Sequence, residues 1–105
     1  MLTQKDYCDY DTCVALEELG YPRYHYDNGG ELDKILRMVT LYNAQKWLRE
    51  QRLLFIEIDK ILYGGYKFHV LDLTTYTEEG CGYTDGYEEA LLEGIKEAVK
   101  ILKKE

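Results

Sequence analysis

Apolar residues recur along this chain in two rhythms, and the rhythms mark out its elements. In residues 11–19 (DTCVALEEL), Val14, Ala15 and Leu19 fall at helical spacing, and Gly20 supplies a stop. Asp9 or Asp11 can cap the start of that helix. Residues 40–52 (TLYNAQKWLREQR) place Leu41, Ala44 and Leu48 on one stripe with Trp47 beside it, behind a Thr40 cap. Residues 53–59 (LLFIEID) switch to alternation: Leu54, Ile56 and Ile58 share one face, and Phe55, Glu57 and Asp59 share the other. Tyr63-Gly64-Gly65 reads as a turn. Residues 66–73 (YKFHVLDL) read as the antiparallel return, with Tyr66, Phe68 and Val70 on one face.

The C-terminal stretch predicts a helix over residues 85–103. Tyr87, Leu91, Ile95, Ala98 and Leu102 make a continuous stripe, widened by Leu92 and Val99. Asp85 and Glu88 stand at capping-box spacing. Acidic residues crowd the first half and lysines the last turns, as the helix dipole favours. Gly80-Cys81-Gly82 is predicted to be the bend that leads from the sheet to this helix. Residues 21–39 are ambiguous. Tyr24 and Tyr26 alternate with polar neighbours, and Asn28-Gly29-Gly30 is a turn signal, which predicts a hairpin running into an irregular link. Leu32, Ile35, Leu36 and Val39 also fit a helix face.

Together these elements predict an α+β fold. A short antiparallel sheet, with 53–59 and 66–73 as its central hairpin, packs against two or three helices. The chain has 105 residues, the size of one domain, and no linker or repeat divides residues 1–105.

Charge narrows the classes of partner. The formal net charge is -7, which repels phosphate backbones and anionic lipid surfaces and argues against nucleic acid and membranes as partners. The imbalance is uneven. Residues 1–30 carry 2 basic and 6 acidic groups, whereas residues 31–60 carry 6 basic and 5 acidic groups. Lys46, Arg49 and Arg52 form a basic trio that reads either as a solvated helix face or as a docking patch. The opening MLTQKDYCDYD lacks a basic region followed by an apolar run, so no secretory signal is expected. No apolar stretch approaches spanning length, and the odd cysteine count speaks against a disulfide framework. A cytoplasmic protein is the expectation.

The segments AQKWLRE, LLFIEID, YKFHVLDL and GYEEALLEGIKEAVKIL, preceded by CVALEELGY, resemble a group of small uncharacterised proteins encoded by prophages and mobile elements of gut bacteria. That group has no assigned activity or catalytic residues, so the resemblance implies no site residues here. A second resemblance covers less than half of the chain. Asp72-Leu73, Gly80-Cys81 and Glu88-Glu89-Ala90-Leu91 are similar to the end of HicB-type antitoxin domains. This chain lacks the proline of their bend, and six residues separate Leu73 from Gly80. The likeness implies a shared strand–bend–helix element and a protein-binding role.

Candidate chemistry is sparse in the sequence. Cys81 near a helix start, with His69 on the preceding strand, is the one thiol nucleophile to weigh, and Glu78, Glu79 and Asp85 oppose its activation. Cys8, Cys13, His25, His69 and Cys81 show no paired metal-ligand spacing, so neither a metal nor another cofactor is expected. Cys13 reads as a small buried hydrophobe. The glycines form no phosphate cradle, and the paired glutamates Glu17-Glu18, Glu78-Glu79 and Glu88-Glu89 read as solubility.

Tyrosine is the unusual feature: eleven, against two phenylalanines and one tryptophan. Its apolar ring and polar tip suit half-buried and interfacial places. Tyr24, Tyr26, Tyr63, Tyr66 and Tyr83, with Trp47, Arg49 and Arg52, are the candidate interaction surface. The expected function is a non-enzymatic accessory protein of a mobile element, acting by contact with a protein partner or by self-association. Two alternatives stand beside it. One is a small enzyme with a cysteine or carboxylate site near Cys81, and the other an antitoxin-like or nucleic-acid-binding module. The expectation rests on polar and sulfur-bearing side chains that do not converge.

Overall fold

The computed structural model describes residues 3–22 and 38–104. The predicted hairpin of residues 21–39, with Tyr24 and Tyr26, lies largely outside the described residues. Within them the chain is α+β: a three-stranded antiparallel sheet packed against three helices.

After a 3-10 turn at Gln4–Asp6, helix α1 runs Tyr10–Glu18. Asp9 caps it, its carboxylate accepting the Thr12 N–H at 2.8 Å. The helix ends at Gly20, whose φ of 106° is open to glycine without a Cβ penalty. Gly20 N–H then reaches the Glu17 carbonyl and Tyr21 N–H the Leu16 carbonyl, so a Schellman closure satisfies the last turn.

Helix α2, Leu41–Gln51, starts on Thr40, whose hydroxyl accepts the Asn43 N–H. Leu41, Ala44 and Leu48 are its buried stripe, as the spacing predicts. Only Arg52 and Leu53 separate this helix from strand β1, Leu54–Lys60. Leu53 makes the reversal by adopting φ 57°, a left-handed conformation that costs a non-glycine residue about 1–2 kcal/mol.

Strand β1 pairs with β2, Tyr66–Asp72, in a register that sets Ile56 opposite Val70 and Glu57 opposite His69. Leu54, Ile56, Phe68 and Val70 are buried on one face, and both faces fall as the alternation predicts.

The predicted bend at Gly80-Cys81-Gly82 is corrected by the structure. Those residues belong to a third strand, β3, Thr77–Thr84, paired antiparallel with β2. The chain turns earlier, at residues 73–76, where the Asp72 carboxylate accepts the N–H groups of Thr74 and Thr75. Gly82 sits directly across from Phe68, and a Cβ there would stand 2.5 Å from the Phe68 ring. The glycine is therefore a slot for the ring rather than a hinge. A β-bulge interrupts the pairing: Val70 faces Gly80, but Leu71 faces Glu78, leaving Glu79 as the extra residue.

Helix α3 runs Tyr87–Lys103. Its predicted cap at Asp85 is also corrected. Because β3 continues to Thr84, the first helical carbonyl comes from Gly86, which accepts the Ala90 N–H. Leu91, Ile95, Ala98, Val99 and Leu102 are buried as expected. This helix lies across all three strands, with α2 against β1 and α3, and α1 against α3. Lys96–Asp9 at 3.0 Å and Lys103–Glu18 at 2.7 Å tie both ends of α1 to it. Such exposed pairs contribute about 0–1 kcal/mol each. No helix among the described residues is long and apolar enough to cross a membrane.

Candidate functional site on the open sheet face

The helices bury one side of the sheet in a single core. Strand alternation then presents Phe55, Glu57 and Asp59 from β1 on the opposite side. Beside them stand Lys67, His69 and Leu71 from β2, and Cys81 and Tyr83 from β3. Phe55 and Leu71 are cross-strand partners and take no part in the core cluster.

His69 is the centre of this face. Its Nε2 donates to Asp59 Oδ2 at 2.9 Å, and its Nδ1 donates to Glu78 Oε1. Both nitrogens can donate only in the imidazolium form. The bond to Glu78 raises the His69 pKa above its ordinary value. Partial burial opposes that rise, and the bond to Asp59 and the charges of both carboxylates add to it. Glu57 stands with Asp59 and His69 in a compact set whose ligand-type atoms all lie within 4.8 Å of one another. Among the described residues, the Glu57 side chain has no hydrogen-bond or ion-pair partner.

The bulge is what delivers Glu78. Strict alternation from Cys81 would put Glu78 on the core side. The extra residue reverses the alternation and sets Glu78 across from Leu71, within reach of His69.

The expectation that polar side chains do not converge is corrected by this cluster. Spacing rules missed it because its members come from three strands, and motif spacings read local chain. A signal was nevertheless present. Once the hairpin is drawn, Glu57 and Asp59 share a face, and His69 alternates onto the same face from across the turn.

Cys81 is exposed, and the register sets it opposite His69. Both imidazole nitrogens already serve carboxylates, so none is free to act as a base toward the thiol. Cys8 and Cys13 are buried. A hydrogen bond with Cys13, followed by burial, pushes the Cys8 thiol far above its ordinary range. The Cys13 sulfur accepts the Val39 N–H at 3.4 Å, so these thiols join the first helix to the chain before α2.

The predicted interaction residues take several places. Tyr63, in the β1–β2 turn, is 95 % exposed, and Tyr83 is 69 % exposed on the open face, with Lys67 Nζ 5.3 Å from its ring centroid. Tyr66 packs on the core and meets Tyr87 edge-on. Trp47 also packs on the core and meets Tyr21 edge-on. Arg52 donates to the Leu19 carbonyl at 3.0 Å, and Arg49 pairs with Glu50. Trp47, Arg49 and Arg52 thus lie with α2, apart from the Tyr83 face.

A groove of about 480 Å³ opens between α2 and the start of α3, lined by Tyr42, Gln45, Tyr87 and Leu91 among others. Two of its polar groups serve the fold: Asp6 accepts the Thr3 N–H and Gln45 donates to the Ile56 carbonyl.

The His69 clamp makes a direct prediction. In protein stripped of metal ions, an NMR titration of the His69 ring is expected to give a pKa above the ordinary 6.5. A raised folded-state pKa means that its stabilisation is complete below the unfolded value. It is lost as pH rises through the folded value. Stability therefore declines over the interval above 6.5, and Glu78→Gln flattens that decline. An unchanged His69 pKa in Glu78→Gln refutes the clamp.

No family model, no curated protein and no solved structure matches this chain.

Proposed function

We propose that this chain works by contact, as an accessory protein that presents its open sheet face to a basic protein partner. The observation that carries the reading is the cross-strand pair Phe55–Leu71, apolar side chains held outside the core on a face bordered by Glu57, Asp59 and Glu78. An apolar centre within a charged rim is the anatomy of a contact surface, and exposed Tyr83 adds an aromatic anchor. The net charge of -7 favours a basic partner over a second copy, which would bring like charges together. The resemblance to mobile-element proteins gives the setting: contact with a host or element protein.

A tagged chain, used to capture partners that are then identified, tests the reading. The captured protein is expected to carry a basic contact surface and to dissociate as salt is raised. Leu71→Glu and Tyr83→Ala, both on the open face, are expected to abolish capture while circular dichroism stays unchanged. Capture indifferent to both variants overturns the proposal. So does sedimentation showing a dimer that Leu71→Glu disrupts, because the partner is then a second copy.

A further inference from the structure

Three features on the open face fit together in a way that contact alone does not use. Glu57 and Asp59 lie on one strand, two residues apart, so their side chains project from the same face. The register sets His69 opposite Glu57, and its Nε2 comes 2.9 Å from Asp59 Oδ2. The three ligand-type atoms lie within 4.8 Å of one another, close enough for small side-chain movements to bring them onto one cation. The clamp also leaves a charge excess. Three carboxylates (Glu57, Asp59 and Glu78) surround a single imidazolium, so negative groups outnumber it, and the Glu57 side chain has no hydrogen-bond or ion-pair partner among the described residues. Lys67, opposite Asp59 in the register, leans toward the Tyr83 ring and meets Glu78 only through its charge.

Glu78 supplies the remaining part. A histidine that binds a metal through one nitrogen ordinarily gives its other N–H to a carboxylate, which fixes the tautomer and the ring. Glu78 holds Nδ1 in that way and leaves Nε2 directed at Asp59. We infer that Glu57, Asp59 and His69 Nε2 form a binding site for a first-row divalent cation, with Glu78 as the positioning residue behind His69. On binding, the cation replaces the Nε2 proton, which passes to solvent, and the two carboxylates neutralise its charge. One nitrogen and two carboxylates suit zinc, manganese or cobalt, whereas magnesium and calcium favour all-oxygen shells. The inference does not depend on the contact reading.

Calorimetry with Zn²⁺ alone, on the 105-residue chain freed of metal by a chelator, tests it. One ion per chain is expected to bind, with Mg²⁺ and Ca²⁺ at least tenfold weaker. Glu57→Gln, Asp59→Asn and His69→Asn are each expected to weaken Zn²⁺ by more than tenfold, and Glu78→Gln by about 10–100-fold. Cys81→Ser is expected to leave the affinity unchanged. A second readout needs no variant that might lose its fold: in ¹⁵N-labelled wild-type chain, Zn²⁺ is expected to shift the His69 Nε2 resonance more than Nδ1. Absence of saturable binding overturns the site. So does binding that survives His69→Asn, or binding lost through Cys81→Ser. A capture experiment that fails while Zn²⁺ binds at this site removes the contact reading and leaves the cation site standing.

Discussion

Phe68→Ala is expected to lower the unfolding free energy by about 3–5 kcal/mol, a large share of the margin of a domain whose total stability is on the order of 5–15 kcal/mol. The cost of a deleted core ring depends on how far its surroundings can collapse into the hole. Around Phe68 they can collapse very little. Its ring lies over Gly82 in the neighbouring strand, and its Cδ1 stands 3.4 Å from the place where a Cβ of Gly94 would be. Two walls of the cavity are therefore glycine backbone, with no side chain to swing inward. The effect belongs at the upper end of the range for that reason. Urea unfolding followed by circular dichroism measures it. A loss below about 1 kcal/mol would mean that the sheet and helix close over the gap, and that the glycines do not set their separation.

Gly94→Leu is the second large effect, expected to cost about 3 kcal/mol. A Cβ at Gly94 would stand 2.6 Å from Ile56 Cγ2. Ile56 is fully buried and branched at its own β-carbon, so it has neither room nor rotamers with which to retreat. Alanine at the same position faces the same contact, but it gains about 1 kcal/mol of helix propensity, so its net cost is smaller. The expected order of stability is glycine, then alanine, then leucine, read from denaturant midpoints. Alanine more stable than glycine would show that α3 can lift from the sheet at little cost. Combining Gly94→Ala with Ile56→Ala is expected to cost less than the sum of the two, because the second change removes the clashing methyl.

Much of this architecture was legible in the residues, and the exceptions share a cause. Alternation in LLFIEID and YKFHVLDL gave the hairpin and both of its faces, and the stripe from Leu91 to Leu102 gave the covering helix. In these elements the local pattern and the tertiary burial agree. Strand β3 escaped because TEEGCGYT is poor in strand formers, and its two glycines imitate a turn. They are there because Phe68 and Glu97 fill the space that side chains would occupy, a demand set by partners far along the chain. The Asp85 cap fails for a related reason: the third strand runs to Thr84, so the cap falls on Gly86 and the helix begins at Tyr87. The His69 cluster depends on strand register and on one bulge. Neither is written in the spacing of Glu57, Asp59, His69 and Glu78, although the hairpin's alternation already puts the first three on one side.

The bulge has a second consequence, away from His69. Among the described residues β3 is an outer strand, and its free backbone rim offers a template on which another molecule's strand can extend the sheet. Glu78 and Glu79 stand where the pairing slips, so the rim is both charged and kinked at that point. Two copies meeting rim to rim would set carboxylates against carboxylates along a line that is no longer straight. Extension of the sheet through β3 is therefore disfavoured.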